Sequence, residues 1–216
     1  MSKEVTDFLR YVGSRSYIRG VDLLKNFCLS HFGMDDFPNI VSFKILRPIS
    51  KHGVWTTYEG PCPEKAAAKV KFCLGEGQTQ ESCFIENDRI ITERCSDGKS
   101  FIGDVVQISK NSGSVTTSRP LEPFDALDFF IDGNKRLQEM SFDGAGSEQK
   151  VFIQFVYLSG LVMPPILSGE VRFVQNMEKS EGNAKYLLTS VTFNDEDHQE
   201  SSFNLCFSHY YGSNEQ

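Results

Sequence analysis

The stretch Val151-Phe152-Ile153-Gln154-Phe155-Val156-Tyr157 consists almost wholly of β-branched and aromatic residues, the types that fit a pleated, half-buried surface. Other stretches share a period of two. Val41, Phe43 and Ile45 alternate with Ser42, Lys44 and Leu46; Val70, Phe72 and Leu74 alternate with Lys69, Lys71 and Cys73. Val171 to Val174, Tyr186 to Phe193 and Phe203 to Phe207 extend the series. Alternation sends one set of side chains inward and the other outward.

Turn-forming residues separate these stretches: Gly60-Pro61, Gly75-Glu76-Gly77, Asn87-Asp88, Asn111-Ser112-Gly113, Asp132-Gly133-Asn134, Gly160, Glu181-Gly182-Asn183 and Asn194 to Asp197. Most lie about 9–15 residues apart, the spacing of hairpin-linked strands. Parallel strands would need a crossover helix between them, and there is no room for one. About ten antiparallel strands in a meander are expected.

The first 33 residues read differently. Phe8, Leu9, Tyr11 and Val12 cluster on one helical face, and Gly13-Ser14 interrupts. Ser16 is placed to cap a second helix in which Tyr17, Val21, Leu24, Cys28 and Phe32 recur at three- and four-residue steps. Gly33 then stands where a left-handed C-terminal cap would be. Residues 123–130 fit a short helix begun by Pro123, but Phe129-Phe130-Ile131 runs into an Asp-Gly turn, so a hairpin over 128–142 is predicted.

No linker divides the strands, so one domain is expected over 1–216, with N-terminal helices at 1–33 and strands over 40–210. It is mainly β, or α+β by content. A single antiparallel meander barrel of about 8–10 strands would remove both exposed edges. The alternative is a curved half-barrel wrapped on a helix, the hot-dog or cystatin-like arrangement. Gly53-Val54-Trp55, with the chain's single Trp, resembles the Gly-x-Trp element that opens the barrel of lipocalin-like proteins. That resemblance implies a calycin-type barrel, of which the fatty-acid-binding and bilin-handling barrels are intracellular examples. The chain departs from the pattern in having no Arg beyond Arg172 to pack on the Trp.

Composition narrows the function. The net charge of -7 divides into +1 over residues 1–100 and -8 over 101–216, so the second half would repel a phosphate backbone and nucleic acid is not an expected partner. No apolar run approaches the length of a membrane span. The cysteines at 28, 62, 73, 83, 95 and 206 form no C-x-x-C, and no His lies at ligand spacing from them, so no metal and no cofactor are expected. Free thiols in a reducing, cytoplasmic setting are the accompanying expectation.

With 18 Phe, 7 Tyr and 1 Trp, the strands could enclose a pocket for a small apolar or aromatic molecule, or simply fill a core. The pocket would be lined from Trp55, Tyr58, Phe72, Phe155, Tyr157, Phe173 and Phe207, with Arg172 or His52 as polar anchor. Of the four histidines (His31, His52, His198 and His209), His52 beside Gly53-Val54-Trp55 is the general acid/base candidate. His198 lies in an acidic turn without the spacing of a calcium loop. Cys62, between Pro61 and Pro63, could present a thiolate. Binding or chaperoned handling of an apolar ligand is the leading function. A cofactor-free cyclase, isomerase or lyase on such a substrate is the second. A protein-interaction module, using the 161–167 loop or the acidic C-terminal half, is the third.

Overall fold

The computed structural model describes residues 9–12, 17–33, 37–74, 78–95, 100–143, 151–182, 184–194 and 199–211. In chain order the elements are β1 (Tyr11–Val12), α1 (Gly20–His31), β2 (Ile40–Ile45), β3 (Lys51–Tyr58), β4 (Ala68–Leu74), β5 (Gln78–Ile90), β6 (Arg94–Cys95), β7 (Ile102–Ser109), β8 (Ser112–Thr117), α2 (Pro123–Asp143), β9 (Val151–Leu161), β10 (Glu170–Glu181), β11 (Ala184–Asn194) and β12 (Glu200–Tyr211). They gather into two compact units: residues 1–99 with 157–163, and residues 100–156 with 164–216.

In the first unit the strand order is β3-β5-β4-β2-β9, with each neighbouring pair antiparallel. Helix α1 buries Val21, Leu23, Leu24, Phe27 and Cys28, the stripe a 3.6-residue period places on one face. Arg19 precedes it in extended geometry and holds Asp22 by two hydrogen bonds of 2.8 and 2.7 Å. Gly33 ends it at φ +91°, a left-handed conformation that glycine adopts without steric cost. The Phe27 ring lies 5.1 Å from that of Trp55 and 5.0 Å from that of Phe72.

In the second unit the order is β9-β12-β11-β10-β8-β7. Pro123 opens α2, where its missing N–H costs nothing. Ala126, Leu127, Phe130, Gly133, Asn134, Leu137 and Gln138 are buried at three- and four-residue steps. Phe130 packs 5.3 Å from Phe193 and 4.9 Å from Phe203, centroid to centroid.

Several expectations are corrected. The strand order is open: β3 and β7 each have one neighbouring strand, so there is no closed barrel. The mainly β, antiparallel character holds, and the open order with a helix in each unit fits the half-barrel-on-a-helix alternative. The lipocalin-type resemblance falls with closure, and Gly53 has another reason to be glycine. A Cβ there would come within 2.7 Å of Phe84 Cζ and into the Ile85 carbonyl. The strands do not follow one another as a meander either, because β5 lies between β3 and β4. The predicted 128–142 hairpin is the interior of α2. Tyr11–Val12 is not helix but pairs in parallel with Arg94–Cys95, and Phe8 and Ser16 lie outside the described residues. Cys62 and Cys83 are joined as a disulfide with Cα atoms 6.3 Å apart, against the expectation of free thiols. Among the described residues no helix is long and apolar enough to cross a membrane.

Candidate functional site

In the first unit the chain turns from β2 into β3 around one carboxylate. Glu86 Oε1 accepts the backbone N–H groups of Ser50 and Lys51, both at 2.9 Å, and Oε2 pairs with Arg47. Burial pushes the Glu86 carboxyl up, but the two amides and the Arg47 guanidinium outweigh it and hold it below the usual carboxylate range. This clamp fixes the backbone immediately before His52. The β3–β5 register shifts between Lys51 and Gly53, and His52 sits at that irregularity, 2% exposed.

Neither ring nitrogen of His52 has a hydrogen-bond partner. Its Nε2 stands 3.6 Å from Glu93 Oε2, just beyond hydrogen-bond range. Backbone amides at Glu93 and Thr92 hold the Glu93 carboxyl low, and Arg89 and His52 lower it further. An ionised carboxylate beside a buried imidazole is an acid/base pair in search of a third group.

The aromatic residues around α1 form a packed cluster. Trp55 is 5.3 Å from Phe84 as well as 5.1 Å from Phe27, and its indole N–H donates to Asn26 Oδ1 at 3.1 Å. Phe72 is buried in the same cluster. Tyr58, at the end of β3, and Tyr157, opposite Lys44 on β9, are half-buried.

The second unit holds a buried polar set that the sequence reading missed. His209 Nε2–H donates to Gln138 Oε1 at 2.7 Å, and Gln138 Nε2 reaches Asn134 Oδ1 at 3.5 Å. Burial first, and Lys185 second, lower the His209 pKa to about 4 against the opposing pull of Glu178, so the ring is neutral near pH 7. Asn134 Nδ2 and Thr189 Oγ1 are buried without a hydrogen-bond partner. Both line a cleft of about 20 Å³ walled by Leu137 and Phe173 and reaching Lys110 and Asn111. That volume accepts one water or one oxygen atom of a larger molecule.

Of the other expected pocket residues, Phe155 and Phe207 pack together at 5.8 Å, Phe173 lines the cleft, and Arg172 is exposed beside Glu170 at 3.8 Å. Val162 in the 161–167 loop is exposed, whereas Leu161 and Leu167 are buried. The acidic turn with His198 lies outside the described residues. Glu93 and the Asn134/Gln138 pair carried one faint signal: the latter are four residues apart, neighbours only once the segment is helical.

No protein-family model matches this chain, and no curated protein matches it. Solved structures match over most of its length at low identity. The tesB protein of Mycobacterium avium subs paratuberculosis is 10% identical at a TM-score of 0.47, covering 91% of this chain and 88% of that one. The dehydratase domain of PpsC from Mycobacterium tuberculosis, in complex with C12:1-CoA, is 11% identical at 0.45, covering 91% and 85%. A hot dog fold protein from Alicyclobacillus acidocaldarius is 9% identical at 0.41, covering 92% and 88%. None of the three is described as a lipocalin, and at these TM-scores they carry no argument about chemistry.

Proposed function

We propose that this chain is an enzyme of the isomerase or lyase class that acts on a small apolar acyl compound by proton transfer at His52. The supporting observation is the buried imidazole with neither nitrogen hydrogen-bonded, 3.6 Å from the Glu93 carboxylate. A buried polar group left unpaired costs about 1–3 kcal/mol, so a ring kept that way needs a reason. In this reading the ring takes a proton from carbon next to a carbonyl, and Glu93 stabilises the imidazolium that forms. Returning the proton to a neighbouring carbon gives an isomer. Delivering it to a departing hydroxyl gives water and a double bond, the dehydratase form of lyase chemistry.

Deuterium incorporation at the carbon next to the carbonyl, followed by NMR in heavy water with a panel of hydroxyacyl and enoyl thioesters, tests this. His52→Ala should slow exchange by about 100-fold or more while circular dichroism shows the fold intact, and Glu93→Gln by less. Wild-type exchange in His52→Ala would sink the proposal.

A second reading, ligand handling without catalysis, is favoured by the Asn134 and Thr189 donors of the second unit. In this reading a ligand carbonyl oxygen enters the cleft of about 20 Å³ between them, walled by Phe173 and Leu137. Saturable binding lost in Asn134→Leu, with no exchange in any variant, would select it.

A further inference from the structure

Cys62 and Cys83 have a third companion. Glu81 and Cys83 are two residues apart on β5, so their side chains leave the strand on one face. Cys62 comes to them from the loop after β3, through the rigid Pro61-Cys62-Pro63 segment. The two sulfurs and a Glu81 carboxylate oxygen all lie within 4.8 Å of one another, and this is the one such group of three potential ligands among the described residues. Cys83 is buried, while Cys62 and Glu81 are half-buried, so the group is reachable from one side.

We propose that, once the disulfide is reduced, Cys62, Cys83 and Glu81 bind a zinc ion. Two thiolates and a carboxylate suit zinc, with a water in the fourth position of a tetrahedron. Zinc–sulfur bonds of about 2.3 Å set the two sulfurs roughly 3.8 Å apart, a separation they reach by parting once the bond between them is reduced. The electron balance is simple. A dithiol gives two electrons and two protons to the Cys62–Cys83 bond and leaves as a cyclic disulfide. Zinc then displaces the two thiol protons into solvent as the sulfur–metal bonds form. The loop after β3 is thus held to β5 by a covalent bond in oxidising conditions and by a metal in reducing ones.

The test uses the full chain reduced with a water-soluble phosphine, which takes oxygen from water and leaves both cysteines as thiols. Titration with cobalt(II) chloride should bring up a thiolate-to-metal absorption band at one ion per chain, and one equivalent of zinc chloride should abolish it. Cys62→Ser should lose the band, Glu81→Gln should bind at least about tenfold more weakly, and Cys206→Ser should behave as wild type. Cys62 lies in a half-exposed loop, and circular dichroism verifies that its variant folds. No band in the reduced chain, or an unchanged band in Cys62→Ser, overturns the site. Unchanged affinity in Glu81→Gln removes Glu81 from it.

Discussion

Both units set one helix against antiparallel strands, but they bury it with different chemistry. Helix α1 is 12 residues long and meets an aromatic cluster, with Asn26 as a buried polar residue that accepts the Trp55 indole proton. Helix α2 is 21 residues long and changes character along its length. Its first half buries Ala126, Leu127, Phe129 and Phe130; its second half buries Asn134 and Gln138. In the first unit the unpaired polar group is therefore His52 on a strand beside a loop. In the second the unpaired groups include the Asn134 amide on the helix itself and the Thr189 hydroxyl on β11.

The largest expected effect is at Gly53 in β3, set against Gly133 in α2. Gly53→Ala should lose about 3 kcal/mol or more, because the new Cβ meets the Ile85 carbonyl and backbone cannot yield. Gly133→Ala in α2 meets Phe173 Cζ at 3.3 Å and Val115 Cγ2 at 3.5 Å, and a helix-propensity gain of about 1 kcal/mol offsets the crowding. Urea-unfolding midpoints measure both, and equal losses would break the contrast.

Acid should separate the units next. The His209 pKa falls from 6.5 to about 4 on folding, so the folded state disfavours its proton. The stability this contributes is complete above pH 6.5 and is lost as pH falls from there to about 4. We expect on the order of 2 kcal/mol, after allowance for partial solvent screening. The Glu86 carboxyl is depressed, so its contribution is present above its ordinary 4.5 and disappears only as pH drops below that value. Hydrogen exchange between pH 7 and pH 5 should thus loosen amides of α2 and β12 and leave β3 and β5 protected. Loss of protection in β3 first would reverse the assignment.

The smallest effect is one of sign. Thr189→Val removes a buried hydroxyl with no partner and should stabilise by about 1 kcal/mol. Ser82→Ala removes one paired with Thr57 at 2.8 Å and should destabilise by about as much. Thermal melts of the two variants that move in the same direction would contradict this.

Much of the strand content was legible because alternation is local. The stretches around Val41, Val70, Val151, Val171, Tyr186 and Phe203 are all strands, and Gly33 caps α1 as its position predicts. Residues 128–142 misled for a definite reason. Phe129-Phe130-Ile131 has strand composition, and Asp132-Gly133-Asn134 has turn composition, yet Gly133 lies within the helix with Phe173 and Val115 close against it. Of the candidate site, His52 was named from its place beside Gly53, but Glu93 was not. Nothing in the spacing of residues 52 and 93 announces that they meet.

The amino-acid sequence by itself determined the period of each strand, the apolar stripe of α1 and the uneven charge, since each depends on residues a few positions apart. Tertiary structure alone decided that the strand order stays open, that β5 lies between β3 and β4, and that Cys62 finds Cys83. Those outcomes turn on which distant segments pair, and that choice is made by packing across the whole core, which no local pattern records.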